Sequence, residues 1–164
     1  MSGRPDTDRV MTTKVRTAVP ADAAVLLQLM RALARFEGYD AAFAVTEADL
    51  LARGLGAGGA REFTAFVAED ADGAIAGYAV VLEIAFTFDL RPTLVLKELY
   101  VGARRRGRGV GAALLARVIA HARERAGGRL EWRVLPGNDA AQAFYRHAGG
   151  APDRAWEHWT LALD

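Results

Sequence analysis

The chain reads as a single α/β domain built on one mixed sheet with helices on its faces. Three observations predict this. Apolar runs of strand character alternate with segments of helical periodicity in the order βαα, βββ, αβ, αβ. The tetrapeptide Asp70-Ala71-Asp72-Gly73 separates two of those runs as the turn of an antiparallel hairpin does. The run Arg106-Gly107-Arg108-Gly109-Val110-Gly111 links an apolar strand to an amphipathic helix.

Val15–Ala18 is read as a first strand, followed by Pro20-Ala21-Asp22 and a helix over Ala23–Phe36. That helix places Val25, Leu26, Leu29, Met30 and Leu33 on one side, at the spacing of a 3.6-residue repeat. A second helix fits Thr46–Arg53, because Thr46 with Asp49 three residues on makes a capping box with Asp in the place of Glu. The uncharged stretch Gly54–Gly59 stops it, or flanks an entrance. Phe63–Glu69 and Ala74–Phe86 are the hairpin strands, and Leu94–Val101 is a further, largely buried one. Val110, Leu114, Leu115, Val118, Ile119 and Ala122 then recur at helical spacing, with Arg117, His121, Arg123 and Glu124 left for the other side. A strand at Arg129–Val134, a short helix over Asp139–Ala148 and a last strand at Trp156–Leu163 complete the order. Residues 1–13 are polar and read as a disordered tail, leaving residues 14–164 as one domain, and Met11 is an alternative start.

Composition removes several function classes. The chain has 164 residues, enough for one sizeable core, and its 21 basic and 20 acidic side chains leave a net charge of +1. A chain so balanced lacks the global field of a nucleic-acid or membrane-surface binder. There is no cysteine, so disulfides, thiolate metal sites and a Cys nucleophile are all absent, and a reducing cytoplasm is the expected location. No stretch of 18 uninterrupted apolar residues and no signal-peptide core occurs. His121, His147 and His158 are isolated and have no metal-ligand spacing, so no metal is expected. Trp132, Trp156 and Trp159 are expected in a core or an interface.

The glycine run has the make-up of an anion cradle. Free N–H groups at a helix start and the positive end of its dipole attract anions, and glycine lets a diphosphate approach the backbone. Gly107-x-Gly109-x-x-Ala112 also satisfies a relaxed dinucleotide fingerprint. That motif, however, should follow its strand at once, and here Gly102–Arg106 intervene with no early βαβ unit. No Gly-Lys-Ser/Thr follows, which excludes a P-loop. A flexible basic loop without a ligand is the plain alternative, and Arg104-Arg105-Arg106-Arg108 also has the composition of a small nucleic-acid patch, although no aromatic residues interleave it.

Arg106, Gly109 and Gly111 satisfy R-x-x-G-x-G between a strand and a helix; Asn138, Ala140-Ala141-Gln142-Ala143-Phe144-Tyr145 and Gly149 follow. In these residues the chain resembles the GNAT superfamily of acetyl-CoA-dependent N-acetyltransferases. Leu33–Glu37, Leu50–Gly56, Phe66–Glu69, Leu96–Val101 and the Trp-bearing end resemble its diamine (spermidine/spermine) acetyltransferase branch, so the likeness covers about residues 14 to 164. The resemblance implies a mostly antiparallel sheet splayed between the fourth and fifth core strands, acetyl-CoA as cosubstrate and a homodimer. It implies that the backbone of Leu99, Tyr100 and Val101 pairs with the pantetheine arm. It further implies that Arg106, Gly107, Arg108, Gly109, Val110, Gly111 and Ala112 hold the diphosphate, and that Asn138 contacts the arm.

The chemistry of acetyl transfer asks for a base for the amine and an acid for the leaving thiolate. Within this resemblance Tyr145 is the acid, whereas on helical periodicity alone it reads as a core aromatic. Glu98 is a carboxylate in an otherwise apolar strand, so it either faces a wet cleft, where it takes the amine proton through a water, or serves as a structural hydrogen-bonded group. Strand alternation sends Lys97 to the opposite face from Glu98. Lys97 also departs from the diamine branch, which carries an acid there, and Leu90, beside Arg91 and Pro92, replaces an aromatic. By the resemblance Glu37 matches a family acid on the acceptor side; by its position it reads equally as a solvated acid at the helix end. The expected acceptor is therefore a small primary amine, such as an amino acid or lysine-like molecule whose carboxylate pairs with Lys97 or Arg91, or a diamine. Transfer to a protein or peptide, and a catalytically silent acyl-CoA-binding regulator, are the other two readings.

Overall fold

A computed structural model describes residues 13–58 and 61–163. The tail expected at residues 1–13, with Met11, lies outside this range except for Thr13, as do Gly59 and Ala60. The chain divides into two compact units, Met1–Trp132 and Arg133–Asp164.

In the first unit the strands are β1 (Lys14–Thr17), β2 (Thr64–Glu69), β3 (Ile75–Ile84), β4 (Thr93–Val101) and β5 (Arg129–Trp132). Its helices are α1 (Ala23–Glu37), α2 (Glu47–Leu50) and α3 (Val110–Glu124). The strands lie side by side in chain order, antiparallel from β1 to β4, with β5 parallel to β4. This is the mixed, mostly antiparallel sheet that the resemblance implies, and the turn between β2 and β3 is the Asp/Gly segment of the expected hairpin. Asp70 builds that turn: its Oδ1 accepts the amides of Asp72 and Ala74 at 2.9 and 3.0 Å, and Gly73 takes a φ of +78°, which suits glycine.

The pleat sorts side chains to two faces. Opposed residues share a face, so Val67, Tyr78 and Tyr100 belong to one, and Phe66, Ala79 and Leu99 to the other. Leu26, Met30 and Leu33 of α1 cluster with Val67, Tyr78 and Val80 on the first face. On the second, Phe66 meets the ring of His121 of α3 edge-on, centroids 5.3 Å apart, and the guanidinium of Arg117 stands 4.7 Å over the same ring. Leu26, Leu94 and Leu114 are fully buried, and each contributes about 1.5–3 kcal/mol of apolar transfer. The start of α1 is bolted to the sheet by Arg16 of β1, whose guanidinium pairs with Asp22 at 2.7 Å and with Glu69 of β2 at 2.6 Å.

The residues that Thr46 caps form α2 as the capping box predicts, with Thr46 N–H donating to Asp49 Oδ2 at 2.9 Å and Asp49 N–H to Thr46 Oγ1 at 3.2 Å. The helix expected to run to Arg53 instead closes in a π-type turn over Leu51–Leu55, sealed by Gly56 N–H on Leu51 O at 2.8 Å. Gly54 lies so close under the Phe63 ring that any Cβ there would clash, and the turn stops at Gly56, whose backbone is extended.

The second unit contains α4 (Asp139–His147), where a short helix is expected. The last strand expected at Trp156–Leu163 does not form: residues 148–163 carry neither helix nor strand. Alternation alone makes no strand without a ladder to satisfy its N–H and C=O groups. Trp156 and Trp159 are exposed, which removes the core half of their expected role. The strand expected to extend to Val134 ends at Trp132.

Candidate active site

Two features of β4 set up the site. Its parallel pairing with β5 runs only from Thr93–Arg129 to Leu96–Trp132, whereas the strand itself continues to Val101. The pairing stops at Leu96 because β5 ends at Trp132, so β4 runs on for five residues without a parallel neighbour in this unit. In the same place the register with β3 slips: Val80 faces Glu98 but Val81 faces Leu96, leaving Lys97 as the extra residue of a bulge. Strict alternation therefore fails at Lys97, and the expected separation of Lys97 and Glu98 onto opposite faces does not hold as a simple rule. The exposed Lys97 ammonium is close enough to Glu98 to favour its ionised form.

Beyond Val101 the chain enters the glycine run. A single helical turn over Ala103–Arg105 is tied back by Arg105 N–H on Gly102 O at 2.8 Å, and Gly102 N–H donates to Ala76 O at 2.9 Å. Gly107 and Gly109 take φ of +72° and +80°, and the space that a Cβ would fill is open at both. Gly109 is the N-cap of α3, with no side chain capping it. The first amide of the turn to bond back is Ala113 on Gly109 O at 3.0 Å, so the amides of Val110, Gly111 and Ala112 precede the intrahelical ladder. Uncapped amides, an open glycine backbone and adjacent arginines fit the diphosphate of a coenzyme A.

The arginines of the run have different tasks. Arg105 pairs with Asp70, whose carboxylate is almost wholly buried in the β2–β3 turn, so the approach to the cradle is anchored on that hairpin. Arg106 donates its Nε–H to Val101 O at 3.0 Å, and its guanidinium lies 5.3 Å from the ring centroids of both Phe36 and Tyr100. Arg106 thus joins the cradle to the end of α1, a contact that the motif alone does not disclose. With Arg105 and Arg106 so engaged, the four-arginine run is not a free basic patch.

On the α1 face, four acid–base groups converge from separate segments. Tyr78 of β3 is fully buried, and its hydroxyl donates to Glu98 Oε2 at 2.9 Å. Burial raises the Glu98 carboxyl above the ordinary range; the Tyr78 hydroxyl and Lys97 draw it down, and Glu37 pushes it up. Burial and then the Glu98 charge push the Tyr78 phenol far upward, so it remains a protonated donor. Tyr39 follows Gly38, the left-handed cap of α1; burial raises its phenol, and the charges of Glu98 and then Glu37 add to the rise. Of this group, sequence reasoning singled out Glu37 and Glu98 and missed Tyr78 and Tyr39. The one signal for Tyr78 was a hydroxyl in an otherwise apolar strand, 20 residues from its partner.

Arg91, the alternative partner for an acceptor carboxylate, lies beyond the end of β4 remote from the cradle, where its Nη2 donates to Gly127 O at 3.1 Å. That leaves Lys97. In the second unit, Asn138 is the N-cap of α4, its Oδ1 accepting the Ala141 amide at 3.1 Å. Tyr145 lies on α4 with its ring edge-on to Phe144, centroids 5.1 Å apart. Among the described residues no group of three or more His, Asp or Glu side chains could hold a metal ion, and no helix is long and apolar enough to cross a membrane.

Residues 27–149 match the acetyltransferase (GNAT) family, which is three-quarters of the chain. The chain belongs to the GNAT family. GNAT enzymes generally use acetyl-CoA, and the family's chemistry is acyl transfer. Solved structures share the fold. An integron cassette protein from the mobile metagenome of V. cholerae is similar with a TM-score of 0.76 and 21% identity, 94% of each chain being covered. An aminoglycoside acetyltransferase from an uncultured soil metagenomic sample has a TM-score of 0.76 and 18% identity over 93% of this chain and 97% of that one. A ribosomal-protein-alanine N-acetyltransferase from Brucella melitensis has a TM-score of 0.73 and 18% identity over 93% and 99%.

Proposed function

We propose that this GNAT protein is an acetyl-CoA-dependent N-acetyltransferase that modifies the primary amine of a small, amino-acid-like molecule. The observation that carries the reading is the pairing of a glycine-lined, uncapped helix start with a strand, β4, that extends past the end of β5 through Glu98 to Val101. When bound, acetyl-CoA supplies the thioester carbonyl that the amine attacks. The amides of Gly107 to Ala112 hold its diphosphate, and the β4 backbone from Leu99 to Val101 aligns its arm. Asn138 is assigned a contact to the arm. Glu98 takes the proton that the amine loses as the N–C bond forms, through a water. Tyr145 gives its phenolic proton to the sulfur as the C–S bond breaks, the role that the family resemblance assigns it.

The acceptor class rests on charge. Glu98 and Glu37 favour an ammonium, and Lys97 stands beside them as a partner for a carboxylate, so a zwitterion fits where a plain polycation meets repulsion. This reading sets the chain apart from the diamine branch. We take the enzyme to be cytoplasmic, in keeping with a chain that has no cysteine. We take it to be a homodimer, in keeping with the exposed Phe86, Phe88 and Leu90 between β3 and β4. Thiol release from acetyl-CoA, measured across amino acids, lysine analogues, spermidine, aminoglycosides and peptides, tests the proposal. Turnover of amino-acid or lysine-like acceptors above the others is expected, and a strong preference for spermidine or for peptides overturns the acceptor class. Calorimetry that records no saturable acetyl-CoA binding overturns the whole reading.

A further inference from the structure

The buried Tyr78 hydroxyl has one evident task. We propose that Tyr78 is a positioning residue for the proton transfer, holding Glu98 by Oε2 so that Oε1 is the oxygen presented to the acceptor amine or its bridging water. The inference rests on Glu98 acting as the base.

The geometry supports it on several counts. Glu98 stands opposite Val80 and Tyr100 opposite Tyr78, so Tyr78 and Glu98 share the α1 face, and Tyr78 reaches diagonally along the β3–β4 pair. Tyr78 is fully buried and its ring lies 6.4 Å from that of Tyr100, so the phenol is fixed by packing and not by its own hydrogen bond. The Tyr78 hydroxyl donates to Glu98 Oε2 at 2.9 Å from a side chain that is itself wholly buried. A carboxylate with one oxygen tied to a buried donor is held in one orientation, which fixes the direction of its second oxygen. The bulge at Lys97 is what turns Glu98 onto this face. The groups facing Glu98 are Tyr78 from β3, Lys97 from β4, Glu37 from the end of α1 and Tyr39 just beyond it.

Removing the hydroxyl while keeping the ring leaves Glu98 half-buried without its donor, so its proton is held to higher pH. In Tyr78→Phe, the acid limb of kcat/KM for the amine should move up by about one pH unit, with kcat on the high-pH plateau lowered by less than about tenfold. A limb that stays in place overturns the proposal, because packing alone would not move it. Glu98→Gln, run alongside, separates the two claims. Full turnover in Glu98→Gln overturns the base assignment itself. Loss of the limb in Glu98→Gln together with an unmoved limb in Tyr78→Phe overturns only the role of Tyr78. Where Tyr78→Phe fails to fold, NMR of the wild-type enzyme decides. A slowly exchanging Tyr78 hydroxyl proton correlated with the Glu98 δ carbon is expected, and a rapidly exchanging one overturns the assignment.

Discussion

The cradle of residues 102–112 and the acid–base cluster on the α1 face lie at the two ends of one short stretch of β4, yet they are built in opposite ways. The cradle is made of backbone: two glycines at positive φ, uncapped amides and an arginine pair that anchors the loop to Asp70 and to Phe36 and Tyr100. It is local and open to solvent. The cluster is made of side chains from β3, β4 and the end of α1, joined by one hydrogen bond between residues 78 and 98; Tyr78 is buried and Glu98 half-buried, while Glu37 and Tyr39 are exposed. An open backbone site tolerates changes in neighbouring side chains but not in its φ angles. A buried side-chain site has the converse sensitivity, because desolvation makes each missing partner costly.

If this contrast is right, variants of the cluster change turnover and variants of the cradle change cofactor affinity. The largest effect is expected outside both regions, at the proposed acid on α4: Tyr145→Phe should lower kcat by about 10² to 10⁴ while the acetyl-CoA Kd from calorimetry stays within a few fold. Unaltered turnover removes that assignment. Next, Glu98→Gln should cost about 10²-fold in kcat and abolish the acid limb of the wild-type kcat/KM profile. Because burial raises Glu98, the limb should stand above the 4.5 of an ordinary glutamate. The same shift has a sign in stability. The folded state keeps the proton longer than the unfolded chain, so stability falls as pH rises from 4.5 through the folded value, and Glu98→Gln should flatten that part of a Tm-against-pH curve.

On the cradle side, Gly109→Val forces a β-branched residue to +80°, which should weaken acetyl-CoA binding about 5- to 100-fold with kcat at saturation nearly kept. A fall in kcat without a change in Kd would reverse the contrast. A Cβ at Gly77 would stand 2.6 Å from the Tyr100 carbonyl, so Gly77→Ala should destabilise the β3–β4 pair by about 1–3 kcal/mol in urea melts and disturb both regions together. The smallest effect is expected of Lys97→Ala, which leaves kcat near wild type and raises the KM of a zwitterionic acceptor about two- to fivefold. A lowered KM for spermidine in that variant would sharpen the charge argument.

The same division explains what was readable beforehand. Hairpin, cradle and flanking helix depend on residues close in the chain, where turn chemistry and periodicity operate, and all three form where expected. The final strand at Trp156–Leu163 fails because its pattern promised a ladder that only other strands can provide. Strict alternation at Lys97 is interrupted because a bulge is a property of a strand pair and not of one strand.

The sequence by itself determined the α/β class, the order of the first five strands, the glycine cradle and the presence of a lone carboxylate in β4. Each follows from interactions across a few residues. Only the tertiary structure decided that Tyr78 ties down Glu98, that Tyr39 and Glu37 share its surroundings, and that Arg106 clasps Phe36. Those pairings join segments tens of residues apart, and pairing register, burial and desolvation, which no local pattern encodes, select them.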